Sequence, residues 1–494
     1  MGAQRVDRGA TSRGHGQPGG QRPRLAGLAV AAIIFAGACT GAAPTPQLTM
    51  SPAPPPTLGS PTPFATPTPT AAPPTASPSL APTESPSSWA SLPANVTSNG
   101  YFDVVVGPTP MATAAGDHGA AAASELNDFG FDLLRALEPD GNLCASPTSI
   151  ALALAMARAG ARGQTATEMD AVLHGFGADG DAAEIAALLE SLGSVAAPPV
   201  DASDPQLNVV SQAFLQEGMP FEPAYLDRLG SYFGAGLGFL NFASDPDAAR
   251  AVINRWVSDQ TKARIPQVLQ PGDLTSDTRF ALANAVYLKA QWDRPFDPIM
   301  TDTLAFTTAS GLHVKVPTMQ GGGYLYYVAG KGYRAVDLPY ASANLAMTIV
   351  VPDDMTAFTR SLSAAELSAI ERAEKLYEVE LTLPRFSIDS RFELADVLAA
   401  LGMPTAFSSL ADFSAMTTAD SLSLSHVIHQ ANIDVDESGT TAAAVTVITG
   451  SSSAGPGGPP VAVFHVDRPF LYFIRDTESG AVLFMGRVDD PGAK

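Results

Sequence analysis

Two cysteines in 494 residues cannot staple a domain of this size. Cys39 follows an apolar run near the N-terminus. Cys144 lies between apolar neighbours in Asn142-Leu143-Cys144-Ala145-Ser146, where a buried, inert thiol is expected. Basic residues are also scarce: 28 Lys and Arg stand against 49 Asp and Glu, for a net charge of −21. That balance argues against nucleic acid as a partner, and no basic cluster suits a polyanionic activator. The motifs of an enzyme are missing. There is no Gly-x-Ser-x-Gly elbow, no His-Glu-x-x-His and no phosphate-binding loop. His426 and His429 suit a metal only on a helix, and on a strand they fall on opposite faces. No metal or cofactor is expected. Gly234-Ala235-Gly236-Leu237-Gly238 fails the dinucleotide spacing and reads as a plain turn in a loop.

What is present is unevenly spread. Arg5, Arg8, Arg13, Arg22 and Arg24 precede an apolar run, residues 25–38, that ends in small side chains. A basic start, a short apolar core and a small-residue exit form a secretory signal, too short to span a bilayer as a permanent helix. Cys39 directly follows Ala36-Gly37-Ala38, which looks like a bacterial lipobox with Ala36 where leucine is commonest. Two outcomes stay open: lipidation of Cys39, or ordinary cleavage nearby with an incidental cysteine. Residues 40–94 are mostly Pro, Thr, Ser and Ala, with Glu84 the only charge, a composition that cannot bury enough apolar surface to fold. The expected organisation is a signal over 1–38, a disordered stalk over 39–118 and a folded domain over 119–491. The expected location is the outer face of the cell membrane as a lipoprotein, touching the membrane through its lipid alone, or secretion.

From Ala120 the pattern turns helical until Pro139-Asp140-Gly141 stops it. Ser146 is placed to cap a second helix, and Pro147 suits its first turn. Residues 207–215 and 280–289 read as strands, the latter a nearly continuous apolar run with Asn284 inside it, as in a central strand. Two strands are expected within 333–351 and one at 378–383. Helical patterns return at 391–401, and 422–436, 461–474 and 481–488 read as strands. Helices first and long strands later give an α+β class. The odd stretch is 437–449, rich in β-formers without a large side chain. As a strand it puts Thr440, Ala442, Ala444, Thr446 and Ile448 on one face. That face is small for most of its length and can slide against a packed core. The Ser-, Gly- and Pro-rich run 451–460 that follows cannot be regular structure.

Glu437-x-Gly439-Thr440-x-Ala442-Ala443-Ala444 resembles the hinge of the serpins, and further segments match that family in order over roughly 120–490. They include Asn142–Met169, Ile253-Asn254-Arg255-Trp256-Val257, the run at Asn284 with Trp292 and Phe296, and Pro384-Arg385-Phe386. Ala411–Ser414, Asp467–Ile474 and Leu483–Arg487 complete the set. The resemblance implies three β-sheets with surrounding helices, an exposed reactive-centre loop and no catalysis of its own. The implied activity is suicide inhibition of serine or cysteine proteases. The hinge is Glu437, Gly439, Thr440, Ala442, Ala443, Ala444 and Thr446. Ser146, Ser149, Asn284 and His429 are implied to form a polar shutter beneath the main sheet. By the family's register the scissile bond lies fourteen residues past Gly439, at Ser453-Ala454. The neighbouring candidates are all small, and no basic residue lies between Gly439 and Pro460. The expected target is therefore a protease with a small or tolerant primary pocket, of elastase or subtilisin type. A monomer is expected. Ser438 departs from the family, which often has a second Glu there, and Val445 is larger than usual but faces outward. The alternative is a non-inhibitory serpin that acts as a binding or carrier protein.

Overall fold

The computed structural model describes residues 96–98, 100–105, 118–137, 141–178, 185, 187–189, 192, 206–233, 237–341, 344–440 and 459–493. All of these lie in one compact unit, Glu84–Lys494. The helices are α1 (His118–Ala136), α2 (Pro147–Arg158), α3 (Gly163–Val172), α4 (Pro223–Phe233), α5 (Pro246–Gln260), α6 (Met355–Ser361), α7 (Ala364–Ala373) and α8 (Ala395–Leu401). The first strands are β1 (Val96–Ser98), β2 (Asp103–Val105), β3 (Leu143–Ala145), β4 (Gln206–Gln216), β5 (Leu237–Leu240) and β6 (Phe280–Gln291). Then come β7 (Asp302–Thr307), β8 (His313–Gly330), β9 (Tyr333–Pro339), β10 (Leu345–Pro352), β11 (Lys375–Pro384) and β12 (Phe386–Glu393). The last are β13 (Val427–Asp436), β14 (Gly439–Thr440), β15 (Val461–His465), β16 (Phe470–Asp476) and β17 (Val482–Val488).

The main sheet has the order β1-β2-β5-β4-β6-β14-β13-β12. The second runs β15-β11-β8-β9-β10-β16-β17-β3, with β7 on β8. The expected three sheets are thus hydrogen-bonded as two among the described residues. The cause is β8, which pairs with β7 at one end, β9 at the other and β11 between them, so it joins ladders that would otherwise be separate.

Helix α2 is buried along its whole length under the main sheet, as its lack of a polar face demands. Ser146 caps it, accepting from the Ser149 N–H at 3.3 Å, and Pro147 occupies the first turn. Its one cation, Arg158, is held by Asp170 at 2.5 and 2.8 Å. Helix α5 covers the opposite face. Its Ile253, Trp256 and Val257 join Phe214 of β4, Ala281 and Ala283 of β6 and Ile428 of β13 in one apolar cluster. It therefore bridges the boundary between β6 and β13. Alternation along β6 sends Leu282 and Val286 to the α2 side instead.

Several local expectations change. Residues 391–393 belong to β12, and the helix starts only at Ala395. The strand read at 422–436 begins at Val427. The run 461–474 divides into β15 and β16, because the two lie at separate places in the sheet. Gly238 is a strand residue of β5, not part of a turn; a Cβ there would lie 2.7 Å from the Phe214 ring and 2.9 Å from the Phe102 ring. The sheet also starts before the boundary expected at 118/119: β1 and β2 fall inside the stretch read as stalk, where Tyr101-Phe102-Asp103-Val104-Val105 has the β-forming character that residues 40–94 lack.

Candidate functional site

The site is the seam between β6 and β13. Over one part the two strands pair directly and in parallel, Leu282–Val286 with Val427–Ala431. Towards the other end they part, and β14 lies between them. Thr440 pairs with Val435 on one side and Ala290 on the other, and Gly439 with Asp436 and Gln291. A glycine is required here. Gly439 has φ +151°, and a Cβ would sit 2.0 Å from the Ala290 carbonyl oxygen. Thr440 is 1% exposed, and its hydroxyl lies 2.6 Å from that of Tyr340.

Side chains and backbone from beyond the seam grip the turn before β14. The Trp292 N–H donates to Ser438 O at 2.9 Å, and the Phe296 N–H to Glu437 O at 2.9 Å. The Trp292 indole donates to Asp436 O at 3.0 Å while its ring stacks on Tyr340 at 4.6 Å. The Glu437 carboxylate pairs with Arg385 at 2.5 Å and accepts from the Thr301 hydroxyl. Burial pushes this carboxyl up, but the Arg385 and Thr301 hydrogen bonds outweigh it and leave it below its ordinary value. Asp436, next to it, is raised by burial.

At the directly paired part, Asn284 and His429 are cross-strand partners. The His429 Nδ1–H donates to Asn284 Oδ1 at 2.9 Å, and Nε2 accepts from the Ser146 N–H at 3.0 Å. That backbone donor fixes the tautomer: Nδ1 carries the proton. The Ser149 hydroxyl donates to Asn284 Oδ1 at 2.5 Å, and Asn284 Nδ2 donates to the Ser149 carbonyl. His429 has no exposed surface, and burial presses its pKa from 6.5 down to about 3. The structure therefore brings Ser146, Ser149, Asn284 and His429 together as one neutral network on the α2 side of the seam.

Of the hinge residues, Glu437, Gly439 and Thr440 are placed as above. Ala442, Ala443, Ala444, Thr446, the Ser453-Ala454 bond, Val445 and Cys39 lie outside the described residues. His426 is apart from the network and pairs with Glu393 at 3.1 Å. Tyr340 was not singled out by sequence, and neither was Thr301. Tyr340 lies just past the end of β9, where an exposed aromatic and a core one read alike.

The Serpin (serine protease inhibitor) family model matches residues 124–491. The chain belongs to the serpin family. A serpin-like protein of Thermococcus kodakarensis is 35% identical over 371 residues, covering 74% of this chain and 85% of its own. The leukocyte elastase inhibitor of Bos taurus is 33% identical over 377 residues, 74% of this chain and 97% of its own. Among solved structures, thyroxine-binding globulin in complex with thyroxine superposes with a TM-score of 0.65 at 27% identity, over 76% of this chain and all of that one. The family thus includes an elastase inhibitor and a thyroxine-binding protein on the same fold.

Proposed function

We propose that this serpin is a suicide inhibitor of serine proteases, and of cysteine proteases with the same acyl-enzyme chemistry. The observation that carries the reading is β14: the first residues after Glu437 already occupy the gap between β6 and β13, with a small side chain turned inward. A protease cuts near Ser453-Ala454 and holds the new end as an acyl-enzyme. The freed segment continues the line that Gly439 and Thr440 begin. Ala442, Ala444 and Thr446 follow on the inward face, small enough to enter a packed seam. Each step must replace direct β6–β13 pairing with two new ladders and must break the Asn284–His429 bond. Sheet completion supplies the driving force and distorts the tethered protease before hydrolysis.

The target has a small or tolerant primary pocket, of elastase or subtilisin type, because the loop offers no basic side chain. The similarity to leukocyte elastase inhibitor supports the same direction. The test is incubation with an elastase-type and a subtilisin-type protease, followed by boiling in detergent. A surviving covalent complex is expected, with the cut read by mass spectrometry near Ser453. Clean cleavage without a complex transfers the protein to the binding or carrier class. The protein acts as a monomer, tethered outside the membrane through a lipid on Cys39 and the Pro/Thr stalk. Cys39→Ser is expected to release it to the medium, and unchanged membrane retention removes the lipid from the account.

A further inference from the structure

The strands β1 and β2 precede the region matched to the family, which starts at residue 124. They form a hairpin, Val96 opposite Val105 and Ser98 opposite Asp103. Through β2 the hairpin adds to the edge of the main sheet, Asp103 opposite Phe239 and Val105 opposite Leu237. Backbone pairing of this kind is sequence-tolerant, and specificity comes from the side chains that find pockets. Phe102 has one. Its ring meets Phe214 edge-on at 4.9 Å and Trp256 at 5.8 Å, and it is 5% exposed. The slot exists because Gly238 carries no side chain beneath the two phenylalanine rings. Tyr101 reaches further along α5: its hydroxyl donates to Asp259, and the Arg255 guanidinium lies 5.9 Å from its ring centre.

We propose that the β5 edge and the Phe214–Trp256 slot form a peptide-docking site for an extended segment with adjacent Tyr and Phe, occupied here by residues 96–98 and 100–105, and that this occupant fastens α5 across the seam. The far side of α5 is already tied down. The loop after it is held by Arg264 on Asp434 of β13 at 2.7 Å and by Arg391 of β12 on Asp273 at 2.7 Å. Asn254 closes the loop onto the helix, accepting from the Val268 and Leu269 N–H groups at 3.0 and 2.8 Å. The hairpin supplies the corresponding tie at the β5 edge, through Trp256 and Asp259. A strap held on both sides must loosen before β6 and β13 separate. The consequence for protease trapping rests on the proposed function, whereas the docking does not.

The test uses hydrogen exchange on the full chain, which needs no protease and so stands or falls apart from the inhibitor reading. Phe102→Ala is expected to speed exchange at least tenfold in the amides of 237–240 and 246–260. Adding a synthetic peptide of residues 95–106 is expected to restore the slow rates, and the same peptide carrying Phe102→Ala is not. Tyr101→Phe, which removes only the hydroxyl contact with Asp259, is expected to give a severalfold effect centred on 255–260. It decides the matter if Phe102→Ala does not fold. Unchanged exchange in the folded variants, or equal restoration by both peptides, overturns the docking site.

Discussion

The two ends of the β6–β13 seam are held by opposite kinds of chemistry. At the hinge end the strands are already parted by two residues, and the turn before them is gripped by N–H donors of Trp292 and Phe296, a stacked Trp292–Tyr340 pair and a charged contact, Glu437 with Arg385. At the shutter end the strands touch, and a neutral, fully buried network of Ser149, Asn284 and His429 ties them together from below. The difference gives insertion a direction. Separation begins where a wedge is seated and must then work through the latch. A charged grip responds to salt, whereas a buried neutral latch responds to burial and to protons.

The sharpest way to break the comparison is to spoil the wedge. Thr440→Arg would bury a charge without a partner against Tyr340, at a cost of several kcal/mol. Insertion then loses its race with hydrolysis of the acyl-enzyme. The stoichiometry of inhibition against one sensitive protease is expected to rise at least tenfold, with Ala444→Arg behaving alike and Val445→Arg changing little. One-to-one trapping by Thr440→Arg would sink the insertion account.

The latch gives the next effect through pH. The unfolded chain protonates a histidine as pH falls below about 6.5, but folded His429 stays neutral down to about 3. Its neutral burial therefore contributes stability that is complete above that unfolded value and lost as pH falls through the window, by roughly 1.4 kcal/mol per pH unit. His429→Gln is expected to remove this slope from the pH dependence of the denaturation midpoint. An identical slope in both proteins would place the titrating group elsewhere. Asn284→Ala acts on the same network at constant pH. It leaves the Ser149 hydroxyl, the His429 Nδ1–H and the Ser149 carbonyl without Asn284, for a loss on the order of 2–4 kcal/mol. A midpoint in urea within error of wild type would mean that water replaces the amide at no cost.

These residues differ in how far sequence revealed them. The shutter was legible only through resemblance, since a serine at a helix start, an asparagine in an apolar run and a histidine in a strand mark nothing singly. The inward place of Thr440 was legible from side-chain size and strand alternation alone, and the rest of that face lies outside the described residues. The grip on the hinge was not. Trp292 acts through its backbone N–H and indole on carbonyls far along the chain, and carbonyls have no sequence signature. The β1–β2 hairpin was missed because Tyr101-Phe102 is an isolated aromatic pair beside a proline-rich tract. Its slot depends on Gly238, whose glycine-rich neighbourhood reads as a turn. That β8 joins two of the expected sheets into one hydrogen-bonded network was hidden for a related reason, since a strand that serves three partners looks in sequence like any long strand.

The smallest expected effect sharpens the contrast between the ends. Arg385 is 44% exposed whereas Glu437 is nearly buried, so solvent screens the pair from one side. Arg385→Ala leaves the Glu437 carboxylate with Thr301 and its burial, which raises its pKa and loosens the turn by about 1 kcal/mol. Salt works on the same contact, because the screening length falls from about 30 Å at 0.01 M to about 3 Å at 1 M ionic strength. Hydrogen exchange at 438–440 is expected to quicken modestly with salt in wild type and to lose that salt dependence in Arg385→Ala. Exchange at 282–286 and 427–431 is expected to ignore salt in both, since no charge belongs to the latch. Salt-sensitive exchange at the latch with none at the hinge would reverse the assignment of the two ends.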